Sequence, residues 1–196
     1  MSFSLEIKEE LETKIDSAKH CQIAEFAAMM AFCGKIKRKS GGQMQLMITT
    51  ENELVKRKFI ELAIKAFEAL ESQFIVEYEG KNNRVINIFI NEQKLIAKIL
   101  MAIKWCDDSF TKVEPVFVNQ RIIQKDCCKR AFIRGAFLAA GSISDPNKSY
   151  HYEIVCEYEE DAKSMQDILK FFNLDAIWVF VFTMELLAKV CIFSTF

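Results

Sequence analysis

The segment from Cys21 to Glu53 recurs about 107 positions later, and this internal repeat constrains the fold more than any other feature of the chain. Cys21, Ala24, Phe26, Ala28, Met30 and Gly34 fall on Cys128, Ala131, Ile133, Gly135, Phe137 and Gly141. Each copy continues with a short strand, a turn, a second strand and an acidic helix start, so each half reads helix, hairpin, helix. A duplication of this kind predicts an α+β protein whose halves are related by a pseudo-two-fold. The 196 residues, 51% of them apolar, are enough to build its core.

In the first copy, residues 23–33 are small and apolar with no helix breaker, and Gly34 is placed to end the helix with a positive φ. KIKRKSGGQMQLMITT reads as a hairpin turning at Ser40, Gly41 and Gly42. Alternation puts Lys35, Lys37 and Lys39 on one face with Gln43, Gln45 and Met47, and turns Ile36, Leu46 and Ile48 to the core. Thr50 is the expected N-cap of a helix over residues 54–70. Residues 74–78 and 84–90 are β-rich runs about a turn at 80–83, and 93–105 is an amphipathic helix, which completes an αββαββα unit. The expected boundaries are a first unit at 1–105, a linker at 106–124 containing Pro115, a second and incomplete unit at 125–176, and an apolar tail at 177–196.

Net charge is −1, which argues against a protein that wraps nucleic acid by bulk charge and directs attention to local basic patches. The acidic N-terminus, MSFSLEIKEELETKI, has no apolar core of signal-peptide length. An odd count of seven cysteines is not a disulfide framework, so reduced thiols and a cytoplasmic chain are expected.

Small residues at close spacing, Ala24, Ala27, Ala28 and Ala31 and again Gly135, Ala136, Ala139 and Ala140, let two helix backbones approach closely. Ordinary helix packing explains that spacing equally well, and the wording of the segments decides the matter. CCKRAFIRGAFLAAGSISDPNKSYHYEIVC, from Cys127 to Cys156, resembles the LAGLIDADG-like domain of the WhiA family, and MSFSLEIKEEL and the TTEN at Thr49 to Asn52 also resemble that family. The resemblance covers roughly residues 1–176 and implies duplicated LAGLIDADG homing-endonuclease-like αββαββα units related by a pseudo-two-fold. It also implies a cytoplasmic, nucleoid-associated bacterial regulator of transcription, sporulation, or cell division and chromosome segregation, with a helix-turn-helix domain following. Its partners would be double-stranded DNA and other transcription or division proteins, with no membrane.

Active LAGLIDADG nucleases place a metal-binding acid just before the glycine that ends each interface helix. Those positions here are Cys33 and Ala140, which offer no hard oxygen ligand, so the resemblance implies a fold without the nuclease reaction and without its metal or any cofactor. What it retains is the saddle that lies over DNA. The candidates in the first unit are Lys35, Lys37, Arg38, Lys39, Gln43 and Gln45, and in the less basic second unit Ser142, Ser144, Asn147, Lys148, Tyr150 and Tyr152. A solvated hairpin with edge lysines is the competing explanation of the first set. Lys125, Lys129, Arg130 and Arg134 form another basic cluster, read as the solvated start of a helix.

His20 with Cys21 and Cys127 with Cys128 occupy repeat-related positions, which could gather four soft ligands, although cysteines are more often buried small hydrophobes and no metal is assigned. After Asp175 the resemblance breaks at AIWVFVFTMELLAKVCIFSTF, which reads as the outcome of a frame change rather than a membrane anchor, since Glu185 and Lys189 interrupt it. Two further functions compete with DNA-binding regulation. One is an interaction scaffold using the aromatic tail, and the other is an active endonuclease.

Overall fold

Two copies of one chain path account for nearly all the regular structure. The computed structural model describes residues 2–107, 112–145, 147, 151–174, 176–182 and 186–192, with only the main chain described beyond 177. Helix α1 (Phe3–Thr13) precedes the first copy: α2 (Lys19–Cys33), β1 (Gly34–Arg38), β2 (Met44–Thr50), α3 (Glu53–Phe67), β3 (Phe74–Glu79), β4 (Val85–Ile90) and α4 (Gln93–Ala102). The second copy runs α5 (Asp126–Ala140), β5 (Gly141–Ile143), β6 (Tyr152–Cys156), α6 (Glu159–Lys170), β7 (Ala176–Phe182) and β8 (Leu186–Ile192). The two sheets have the same antiparallel order, β1-β2-β4-β3 and β5-β6-β8-β7.

The tail expected from residue 177 onward is therefore corrected. Residues 176–182 and 186–192 pair as β7 and β8, and β8 docks on β6 with Ile154 opposite Val190. A β-rich apolar run reads as a tail only when no partner edge is in view, and β6 supplies that edge.

Helices α2 and α5 meet where the repeat predicts. Ala28 and its counterpart Gly135 lie at the crossing: a Cβ on Gly135 would sit 2.4 Å from the Glu25 carbonyl oxygen and 3.0 Å from Ala28 Cβ. The core is built on this pair. Phe26 stacks on Phe59 with centroids 4.7 Å apart, and Leu46, Ile48, Ile86, Ile88 and Ile90 bury one face of the first sheet. Alternation explains that face, since Leu46 and Ile48 on β2, and Ile86, Ile88 and Ile90 on β4, lie two positions apart.

Three local expectations change. Gly34 has φ −87°, not a positive value, because β1 begins at that residue; glycine is required there for space, a Cβ lying 2.5 Å from the Met30 carbonyl oxygen. The N-cap of α3 is Asn52, whose side chain accepts from Leu54 N–H, while Thr50 Oγ1 accepts from Asn52 N–H one step earlier. The described part of the linker is packed: Trp105 Nε1 donates to the Val116 carbonyl, and Phe117 sits edge-on to both Phe32 and Phe132.

Candidate nucleic-acid interface

The open face of the first sheet, opposite the helices, gathers most of the basic hairpin. Register places Lys35 opposite Met47 and Lys37 opposite Gln45, so these four share the face, and both lysines are exposed. At the hairpin tip, Lys39 Nζ and Gln45 Nε2 both donate to Asn91 Oδ1, at 3.1 and 2.8 Å, and Gln43 is exposed beside them. Arg38 departs from the group: it pairs with Met44 and, by alternation, falls on the same side as Ile36 and Leu46.

Strand β4 adds residues that the lysine-led reading missed. Asn87 and Phe89 stand opposite Thr49 and Met47, and Thr49 Oγ1 donates to Asn87 Oδ1 at 2.9 Å. Their signal lay in the VINIFIN run, where Ile86, Ile88 and Ile90 alternate with Asn87, Phe89 and Asn91. At the far edge the charge reverses, because β3 brings exposed Glu77 opposite Asn87 and Glu79 opposite Val85. The face is thus basic along β1, polar and apolar in the middle, and acidic along β3.

The second hairpin differs. Ser142 pairs with Glu153 and donates to its Oε1 at 3.2 Å, and His151 Nε2 lies 3.0 Å from Glu153 Oε2, so this face carries an acid where the first carries lysines. Ser144 Oγ accepts from His151 N–H, and Asn147 folds back on Asp145. Tyr152 is corrected: it shares a face with buried Ile154 and stacks on Phe137 at 5.1 Å, and burial pushes its phenol pKa up. Lys148 and Tyr150 lie outside the described residues.

The ends of the interface helices complete the picture. Burial pushes the Cys33 thiol up to about 12, with the ammonium of Lys8 opposing. From α1, Lys8 Nζ donates to the Leu138 carbonyl at 3.2 Å, two residues before Ala140. A protonated thiol, a methyl group and a nearby ammonium do not fit a hard divalent cation, which needs carboxylate oxygens.

Arg134 is not solvated, contrary to the expectation from sequence. Its Nε and Nη2 donate to Glu25 Oε1 and Oε2 at 2.9 and 2.6 Å, and Nη2 also reaches Asp16 Oδ2 at 2.6 Å. Buried Lys58 lies 3.2 Å from the same carboxylate and donates to the carbonyls of Leu11, Glu12 and Lys14, closing the end of α1. Lys129 and Arg130 lie over the rings of Phe171 and Phe172 at 3.8 and 5.2 Å, as lids on an aromatic pair.

One cluster stands apart from the sheets. The ligand atoms of His20, Cys21, Cys127 and Cys128 all lie within 4.8 Å of one another at the start of α2 and α5. Both Cys21 Sγ and Cys128 Sγ are 3.3 Å from His20 Nδ1. Burial and then the neighbouring thiols raise the Cys21 pKa to about 12.

Comparison with known proteins agrees with this geometry. Residues 19–104 match the WhiA N-terminal LAGLIDADG-like domain, and residues 129–180 match the WhiA LAGLIDADG-like domain. A probable cell division protein WhiA from Lachnospira eligens is 54% identical over 176 residues, 90% of this chain and 55% of that protein. Its counterpart from Lachnoclostridium phytofermentans is 38% identical over 178 residues, so the chain spans about half the length of these relatives. The crystal structure of full-length DUF199/WhiA from Thermatoga maritima superposes with a TM-score of 0.67 at 27% identity, covering 99% of this chain and 58% of that one. The homing endonuclease I-DmoI, solved in complex with DNA and Mn, shares the fold with a TM-score of 0.62 at 13% identity, covering 89% of this chain and 90% of that one. Among the described residues no helix is long and apolar enough to cross a membrane. With both units matched in order along one chain and the duplicated fold shared, the chain belongs to the WhiA family and carries its two LAGLIDADG-like units.

Proposed function

We propose that this chain binds double-stranded DNA without cutting it, as part of a WhiA-type regulator acting in transcription and in cell division or chromosome segregation. The observation that carries this reading is the open face of the first sheet, where exposed Lys35 and Lys37 share a side with Gln45 and the Lys39–Asn91 contact. Lysines along one sheet edge suit phosphates, and amide side chains beside them can reach either phosphates or base edges. The acids on β3 confine the contact to the β1 and β2 side, and Glu153 makes the second hairpin a minor contributor.

The reading without cleavage is supported by the helix ends, where Cys33 and Ala140 stand just before the terminal glycines, the positions at which the resemblance puts the nucleases' acids, and Lys8 brings its own positive charge close by. The direct test is incubation with supercoiled plasmid in magnesium or manganese, alongside a mobility-shift assay on a short duplex. Retarded DNA with uncut plasmid supports the reading. Metal-dependent cutting that survives repurification, or no retardation at low salt, contradicts it.

A further inference from the structure

The four-residue cluster at the N-terminal ends of α2 and α5 serves neither the sheet surface nor the helix crossing, and its composition is specific. It holds three thiols and one imidazole, all six pairs of ligand atoms lying within 4.8 Å. In a tetrahedral zinc site with Zn–S bonds of about 2.3 Å, two thiolates stand about 3.8 Å apart, so the four donors are at coordination distance with little adjustment. Cys21 and Cys128 are buried at 3% exposure each, whereas His20 and Cys127 are exposed, which leaves a route for a metal ion from solvent.

The placement argues against coincidental burial of small thiols. His20 and Cys21 are the same two repeat positions as Cys127 and Cys128, so the pseudo-two-fold brings two dipeptides face to face. Two sulfurs from different helices then share one imidazole nitrogen at 3.3 Å. Apolar packing would not call for an exposed histidine and an exposed cysteine converging on two buried thiols, and a soft divalent cation does call for that set.

We infer that His20, Cys21, Cys127 and Cys128 bind one zinc ion, which clasps the two LAGLIDADG-like units together at the helix ends remote from Cys33 and Ala140. Such a Cys3His site, with four protein ligands and no open position, is structural. It fixes the start of both interface helices, while the sheets depend on their own strand pairing. The inference does not rest on DNA binding and stands or falls separately from it.

The test uses the full chain, purified without a histidine tag under reducing conditions. Metal analysis is expected to find about one zinc per chain, and exchange with cobalt should give the intense visible bands and near-ultraviolet charge transfer of a tetrahedral thiolate site. Cys127→Ser, at an exposed position, should keep the circular dichroism of the parent but lose about one third of the charge-transfer intensity, the share of one thiolate in three. A chelator should lower the melting temperature of the parent. A metal-free chain whose cobalt spectrum is weak and octahedral would overturn the inference. So would a disulfide among these cysteines in cells alkylated at lysis, or a Cys127→Ser spectrum identical to the parent's.

Discussion

Glu25 on α2 and Arg134 on α5 meet as a two-pronged ion pair across the interface between the repeats, with N–O distances of 2.9 and 2.6 Å. The carboxylate is fully buried, and Lys58 Nζ approaches its Oε1 at 3.2 Å. Two cations on one buried acid make Glu25 the member whose loss leaves the most charge unpaired. Glu25→Gln should therefore lower unfolding stability by about 3–5 kcal/mol, and Arg134→Met by less because Lys58 still balances Glu25. Urea unfolding followed by circular dichroism measures both, and equal small losses would show that the network is solvated in solution.

The crossing itself makes a second prediction. Because a Cβ on Gly135 would meet the Glu25 carbonyl oxygen at 2.4 Å, Gly135→Ala should cost about 1–3 kcal/mol despite the better helix propensity of alanine. The same substitution at Gly41 meets nothing within 4 Å but has φ +86°, so its cost is backbone strain of about 1–2 kcal/mol and leaves the interface intact. Comparing thermal melts of the two variants in the parent background separates space from conformation.

The pairing of β7 with β8, and of β8 with β6, predicts the behaviour of a shortened chain. Ending it after Asp175 removes both β7 and β8 and strips β6 of its inner neighbour. The shortened protein should lose cooperative unfolding of the second unit and aggregate more readily, since the pairing edge of β6 is uncovered. A melt as sharp as that of the full chain would show that these strands add nothing to the domain.

Acidity offers a fourth check. Burial, then the neighbouring Glu160 and Glu157, raise the Asp161 carboxyl from 3.8 to about 6. A carboxyl raised in the folded state binds more protons folded than unfolded within that window, so its contribution to stability is present below it and lost as pH rises through about 6. Asp161→Asn should flatten the change in melting temperature between pH 4 and pH 7. An unchanged profile would place the carboxyl in an ordinary solvated setting.

Much of the fold was readable because the repeat aligns Ala28 with Gly135 and Gly34 with Gly141, and those positions carry geometric constraints that a side chain would break. Strands β7 and β8 were hidden by the opposite circumstance: an apolar run with charged interruptions becomes a strand only through an edge formed 20 or more residues earlier. Tyr152 reads as part of the open face because it lies in a run of polar and aromatic residues, although its parity with Ile154 and Cys156 points to the core. In the sequence Arg134 reads as solvated because its partner Glu25 lies 109 residues away and only the helix crossing unites them. The Lys35, Lys37 and Gln45 grouping needed only strand alternation, while the acidic limit at Glu77 and Glu79 needed the pairing of β3 with β4.

The claim that the first hairpin carries DNA affinity is tested most directly by the salt dependence of duplex binding, measured for the parent and for Lys35→Ala/Lys37→Ala. Each lysine that contacts a phosphate contributes about 0.9 to the slope of log affinity against log salt. The account predicts weaker binding and a slope shallower by about 1.8 in the double variant, with circular dichroism unchanged. Parent-like affinity and slope in a folded double variant would contradict it.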